Sequence, residues 1–487
     1  MCKLSLTNSR AALSRIALSL IALSFSATVA AAQPAVLRTN VDGISDTGLH
    51  PADVDVAANA NHVIQVANGA IQVYDKNGTP SGPAETFLSF FINQLPQNWA
   101  GIGYEPSAHT YNDRLIISIM GVDPFEETSH LFLAISKTAD LADGWWKYAI
   151  LLNNEVQDDT WVGDSSLSFD NSGIYLAGNL YDFEGDFEHA RIHIFSSSLF
   201  DGIFVRLWRS EGALNWPSTV TLAKSLRAAR VGGGRCLNSA MYFVNSHALA
   251  GNELLVWTLT GSRLNPTLTS ERITVDSYTY IDMEVDQPNA ATHIDGGDAR
   301  VRDAVYCGNS IVATLVTDPL NNNSSSGIYT AAVDADAGTL VWDHTMMIAP
   351  TDYLFAPGLQ AGFRSDGNSG MEPNWIRIFH NHVNSFLAYA AVNTTYYPDP
   401  LGSATFHRDM LKTGEGAYVH MNNLNRNVWS KRAGVAVYND EVWAAVQYAG
   451  PANNWESRLL EYRAADVFVD GFESGDTSSW SAAIGLQ

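Results

Sequence analysis

Three kinds of side chain in this sequence could do chemistry if the fold brought them together: the acids Asp53, Glu105 and Asp164 (with His50 as a further polar neighbour), the bases His109 and Tyr104, and the arginines Arg235, Arg300, Arg302 and Arg432. Glu105 with Asp164 is the pair to test for glycoside hydrolysis, which needs two carboxyl groups ~5–9.5 Å apart. His109 or Tyr104 as base, with Arg302 neutralising a uronate, would suit a polysaccharide lyase. The four arginines present planar forks that could grip a carboxylate or sulfate. Each of these groups also has a purely structural use. Acids from the first half and arginines from the second could pair across an axis and hold the fold in register.

The usual signatures of catalysis are missing. There is no H-E-x-x-H, G-x-S-x-G, phosphate-binding loop or EF-hand loop. His380 and His382 stand two apart, so a strand would point both to one face. Two histidines alone make a poor metal site, and a solvated pair is expected. Asp334, Asp336 and Gly338 lack the later bidentate Glu of a calcium loop and read as a turn. No metal and no cofactor is expected. Cys236 and Cys307 have no C-x-x-C partner, and they are expected to form a disulfide.

The elements that would position these groups are strands. Apolar residues alternate or form short runs bounded by Gly, Asn, Asp and Pro, an all-β pattern. A polar turn containing Asn, followed by a β-rich run, recurs seven times. The first apolar residues of those runs are Val63, Leu115, Ile174, Met241, Ile311, Ile376 and Val442, at spacings of 52, 59, 67, 70, 65 and 66 residues. Asn, Gly and Asp tolerate the left-handed conformation of a tight hairpin. Three or four strands per repeat imply small sheets repeated radially, a seven-bladed β-propeller, which protects most sheet edges. The first strand of each blade would then line a central channel and carry the residues above. Val36-Leu37-Arg38 is the segment available to seal the ring from the N-terminal side.

Lys3, Arg10 and Arg15, the apolar run Ile16 to Val29 and then Ala30-Ala31-Ala32 have the order of a secretory signal. The apolar run is shorter than the ~20 residues that a membrane span needs. Expected divisions are a signal peptide over 1–32, the propeller over 33–463 and a tail over 464–487. Net charge is −23, with 51 acidic against 28 basic residues, which excludes phosphate backbones as natural partners. A secreted monomer without a transmembrane segment, outside the cell or in the periplasm, is expected.

Several stretches resemble a widespread family of exported bacterial proteins with propeller-like repeats and no agreed activity. They include His62-Val63-Ile64-Gln65-Val66-Ala67-Asn68-Gly69, Gly144-Trp145-Trp146, Gly173-Ile174-Tyr175-Leu176 and Glu253-Leu254-Leu255-Val256-Trp257, with Asp298 to Tyr306 and Arg426-Asn427-Val428-Trp429. The chain departs from that pattern at Trp161 to Ser166 and at Ser430 to Gly434. Val469 to Trp480, with its Asp470-Gly471-Phe472-Glu473-Ser474-Gly475-Asp476 core, resembles a tail carried by assorted exported proteobacterial proteins. The resemblance implies a propeller and assigns no catalytic set. The expected function is a non-catalytic binding or scaffold propeller whose partner is an extracellular polysaccharide or a surface protein. The alternative is a lyase or glycoside hydrolase acting on an acidic polysaccharide.

Overall fold

A computed structural model describes residues 36–463, apart from 154–158, 211, 233–235, 237–239, 248–249, 280–283, 288–291, 322–324, 366–370, 385–388, 403–405 and 423–425. The expected signal peptide, the tail and Arg235 lie outside the described residues. The chain is all-β and forms a seven-bladed propeller. Blade 1 runs from an innermost strand Asp55–Ala58 through Val63–Ala67 and Ala70–Tyr74 to Glu85–Thr86. Blades 2 and 3 begin on Ile102–Tyr111 and Thr160–Asp170. The innermost strand of blade 4 is only Arg227–Ala228, and blade 5 begins on Asp303–Cys307. Blade 6 begins on Tyr353–Ser365 and blade 7 on Gly434–Tyr438.

The repeat pattern follows from how blades pack. Each sheet is covered on both faces by its neighbours, so middle strands lose their alternation and read as continuous apolar runs. Val63–Ala67, Ser310–Thr317 and Glu441–Ala449 are buried at every position. Outermost strands keep a wet face, as Thr267–Thr279 does. The buried clusters span the seams. Ile116 and Leu131 of blade 2 pack with Val162 and Leu176 of blade 3, and Phe379 and Val392 of blade 6 pack with Val435 and Val442 of blade 7.

The ring closes between its two chain ends. Val36–Asp42 pairs antiparallel with Trp455–Arg463 and becomes the outermost strand of blade 7. Five of the seven Asn hairpins join an innermost strand to the next. Asn112, Asp113 and Asn439 there adopt positive φ. Blade 6 corrects the reading: Asn374 lies inside the strand Met371–Val383, which pairs with Tyr353–Ser365. Blade 4 is also different. After Ala228 the chain leaves its own sheet, and Arg230–Val231 pairs in parallel with the innermost strand of blade 5.

Cys236, in the loop after that excursion, is bonded to Cys307 at the end of the innermost strand of blade 5, with a Cα separation of 5.0 Å. The bridge closes a loop of sequence separation 71. A link over a loop of that length stabilises a fold by about 2–4 kcal/mol, mainly by restricting the unfolded chain. Urea titration with and without dithiothreitol should show that loss in the native protein. Cys307→Ala should be less stable and indifferent to the reductant. Equal midpoints in all three cases would show that the bridge carries no stability.

Candidate functional site

The channel mouth is built from a repeated backbone irregularity. Asp53, Glu105, Asp164, Ser225 and Ala356 have φ of 44°, 47°, 54°, 56° and 51°. Each precedes by two residues the point where its innermost strand starts or resumes pairing: Asp55, Ser107, Ser166, Arg227 and Gly358. Non-glycine residues in this region cost about 1–3 kcal/mol each and persist only where their surroundings fix them. Here the neighbouring blade supplies the fixing contacts. Asp53 N–H donates to Ser430 Oγ of the segment entering blade 7 at 2.7 Å. The Glu105 carboxylate accepts from Asp164 N–H at 2.9 Å and Ser165 N–H at 2.8 Å. Ser225 N–H donates to Asn179 Oδ1 at 2.8 Å.

One buried carboxylate then gathers the cations. Asp164 meets Arg227 at 3.2 Å, Arg300 at 2.9 Å and Lys431 at 2.8 Å. These come from blade 4 and from the segments entering blades 5 and 7. Ser225 Oγ also donates to Asp164, at 2.5 Å. Burial alone would raise this carboxyl, but Lys431, Arg300 and Arg227 outweigh it and hold it well below the usual range. Arg300 Nε donates to Asp298 at 2.6 Å, and the fully buried Arg302 donates to the same carboxylate at 2.9 Å. Arg432 pairs with Asp55 at 2.8 Å. Arg230 binds Asp303 at 2.6 Å and reaches the carbonyls of Leu359 and Val435, so it crosses the channel to blades 6 and 7.

These pairs divide the channel. A cavity of about 440 Å³ at one mouth is lined by His50, Asp53, Tyr104, Glu105, Arg300 and Lys431, among others. At the other mouth a cavity of about 710 Å³ is lined by His109, Tyr111, Phe169, Arg230 and Tyr438. Between them lies a space of about 60 Å³ bounded by Asp53, Glu105, Asp164, Arg227, Lys431 and Arg432.

The structure therefore separates the lyase candidates. Tyr104 and Arg302 line the first mouth and His109 the other. His109 is buried, its Nε2 2.7 Å from Ser107 Oγ, which donates to Asp55 at 2.8 Å. Burial pushes its pKa down to about 3, so it is neutral at any ordinary pH. The Tyr104 hydroxyl donates to the Val162 carbonyl at 2.5 Å, and burial raises its pKa well above that of a free phenol. Glu105 and Asp164 are adjacent, but Asp164 is saturated by cations. Arg300, Arg302 and Arg432 are each paired with an internal carboxylate.

Two groupings that include residues already singled out were not legible in the sequence. Asp53 sits beside Glu105 at the mouth, and burial followed by the Glu105 charge raises its pKa to about 6. The second is the trio Asp46, His50 and His420, whose potential ligand atoms all lie within 4.8 Å of one another. The i,i+4 spacing of Asp46 and His50 was the only local signal, because His420 is remote in sequence. The histidine pair His380 and His382 corrects an expectation. Both are buried rather than solvated, with His382 Nε2 2.9 Å from Asp352 and His380 Nε2 3.2 Å from Thr395. Asp334 Oδ1 accepts from the N–H groups of Asp336 and Ala337, which makes that stretch a turn. No helix among the described residues is long and apolar enough to cross a membrane.

No known family and no curated protein matches the chain. Among solved structures it is similar to Trypanosoma rangeli sialidase in complex with sialic acid, at 9% identity and a TM-score of 0.39, over 81% of this chain and 57% of that one. The chain thus spans little more than half the length of that sialidase. It is also similar to the Nup133 β-propeller domain of Vanderwaltozyma polyspora, at 9% identity and a TM-score of 0.38, over 87% and 97% of the two chains. Bacillus subtilis arabinanase matches at 12% identity and a TM-score of 0.29, over 89% and 98%.

Proposed function

We propose that this protein is an exported, non-catalytic binding propeller that takes an extracellular polysaccharide at the mouth lined by Asp53, Glu105, Arg300 and Lys431. The observation that carries the reading is the plug. Asp164 and Asp298 are spent on Arg227, Arg300, Arg302 and Lys431, which leaves neither carboxylate to serve as acid, base or nucleophile. The half-exposed Lys431 and the largely buried Arg300 both line the cavity and can offer hydrogen bonds to carboxylates or hydroxyls of a glycan. The signal-like N-terminus and the disulfide support export.

One observation favours the alternative, a polysaccharide-degrading enzyme. A carboxyl whose pKa burial and a neighbouring acid raise to about 6 is how glycosidases prepare a general acid. That moves the candidate pair from Glu105 and Asp164 to Asp53 and Glu105. The two readings separate in one assay. Acidic and neutral polysaccharides are incubated with the native protein and with Asp53→Asn, Glu105→Gln and Lys431→Ala, and both retention and release of reducing or unsaturated ends are followed over time. Binding without product, weakened about tenfold by Lys431→Ala, is expected. Product release that Asp53→Asn or Glu105→Gln abolishes would establish the enzyme and overturn the binding-only reading.

A further inference from the structure

We infer that Asp46, His50 and His420 form a binding site for one divalent transition-metal ion at the edge of this mouth. Asp46 and His50 lie on the segment leading into blade 1. His420 lies on the segment leading into blade 7, so the ring's closure brings them together. The His50 and His420 rings stack with centroids 3.4 Å apart and planes 15° from parallel.

A hydrogen bond assigns the ring nitrogens of His420. His420 Nε2 is 2.6 Å from the carbonyl of Asn453. A carbonyl only accepts, so Nε2 carries the hydrogen and Nδ1 keeps its lone pair. His50 Nδ1 is 3.2 Å from the Tyr418 hydroxyl, and its Nε2 is 3.8 Å from Asp46 Oδ1. Asp46 Oδ1 accepts from Gly48 N–H at 2.7 Å, which fixes the carboxylate. With the Tyr418 hydroxyl accepting from His50 Nδ1–H, the donor set is His420 Nδ1, His50 Nε2 and the Asp46 carboxylate. Each histidine also has, at its other nitrogen, a hydrogen-bond partner outside the set.

The chemistry of the donors selects the ion. Two imidazoles and one carboxylate suit Zn²⁺, Ni²⁺ or Co²⁺, whereas Ca²⁺ and Mg²⁺ want oxygen alone. Two ligands of a tetrahedral zinc at about 2.0–2.1 Å lie roughly 3.3 Å apart, and each imidazole lone pair lies in its ring plane, so the stacked rings must swing apart about their side-chain torsions for both nitrogens to face one ion. Three protein ligands leave a fourth position. His50 lines the cavity of about 440 Å³, so that position is available to an oxygen of whatever enters the mouth.

The test does not depend on what the mouth binds. Untagged full-length protein, stripped with EDTA and dialysed, is titrated calorimetrically with ZnCl₂ and separately with CaCl₂. One zinc per chain should bind, with calcium at least 100-fold weaker. His50→Ala, His420→Ala and the milder Asp46→Asn should each weaken zinc at least tenfold, while His62→Ala, outside the cluster, should leave it unchanged. Circular dichroism and melting in EDTA should match the native protein for Asp46→Asn, so that lost affinity is read on a folded chain. Absence of saturable zinc binding, retention of native affinity in Asp46→Asn and His420→Ala, equal loss in His62→Ala, or calcium binding as tight as zinc would each overturn the assignment.

Discussion

Asp164→Ala should destabilise the propeller by about 3–5 kcal/mol, the effect of removing one partner from a buried ion pair and leaving the other charged. The loss is large because one carboxylate answers Arg227, Arg300 and Lys431. Without it, these cations face each other at the centre of the ring. Lys431→Ala should cost no more than about 1 kcal/mol, since its side chain is 46% exposed and water screens its pair. In an Asp164→Asn background, Lys431→Met should recover part of the loss by removing one of the repelling charges. Urea unfolding of the native protein, Asp164→Asn, Lys431→Met and the double variant gives the cycle, and an Asp164→Ala change below about 1 kcal/mol would show that the plug is not what holds the blades in register.

The same experiment has a pH signature with two opposite signs. Asp164 has a folded pKa below its unfolded one. Its contribution is complete above the ordinary carboxyl value of about 3.9 and is lost only as the pH falls through the depressed folded value. Asp53 is raised to about 6, so it favours the fold below the ordinary value and that contribution is lost as the pH rises through about 6. Asp53→Asn should therefore flatten the pH dependence of stability between about 4 and 6, whereas Asp164→Asn, destabilising throughout the range above about pH 4, should flatten it only below that value.

The turns were readable because their geometry is local. Asn112-Asp113 and Asn439 must adopt positive φ, which few residues tolerate. Asn374 misled because an Asn before an apolar run is also an ordinary strand residue. Arg227 escaped notice because its strand is two residues long and has no period to detect. The channel's acids and the arginines Arg300 and Arg432 were legible as first-strand residues, yet Arg227 and Lys431 were not legible as partners of Asp164. Lys431 reaches Asp164 across 267 residues of sequence, and nothing near it distinguishes it from any exposed lysine. Charge pairing across an axis depends on the closure of the whole ring, and so do the His50–His420 contacts. Both belong to tertiary structure that no local pattern encodes.

Removal of the chain through Asp42 should abolish the cooperative fold or convert the protein to edge-paired oligomers. Val36–Asp42 covers the last strand, with Val36 opposite Arg463, Leu37 opposite Tyr462 and Asp42 opposite Arg458. Side chains lock the register: Thr39 Oγ1 donates to Glu461 at 2.9 Å in a buried position, and Arg458 Nη2 donates to the Asn40 carbonyl at 2.8 Å. Asn40 Nδ2 also reaches the Leu411 carbonyl of blade 6 at 3.2 Å, so the strand ties the last blade to its neighbour. Without it, Trp455–Arg463 presents a bare row of N–H and C=O groups, which another chain can pair with. The loss also exposes the seam between blades 7 and 1, where Trp443, Trp455 and Leu459 are fully buried. Gel filtration and thermal melts of the truncated protein, alone and with a synthetic peptide of residues 36–42, would test this. The peptide should restore a monomer with a sharp transition, because it supplies the same ladder without the covalent link. A truncated protein that melts like the native one and stays monomeric without peptide would mean that blade 7 is self-sufficient, and that closure contributes little to the ring.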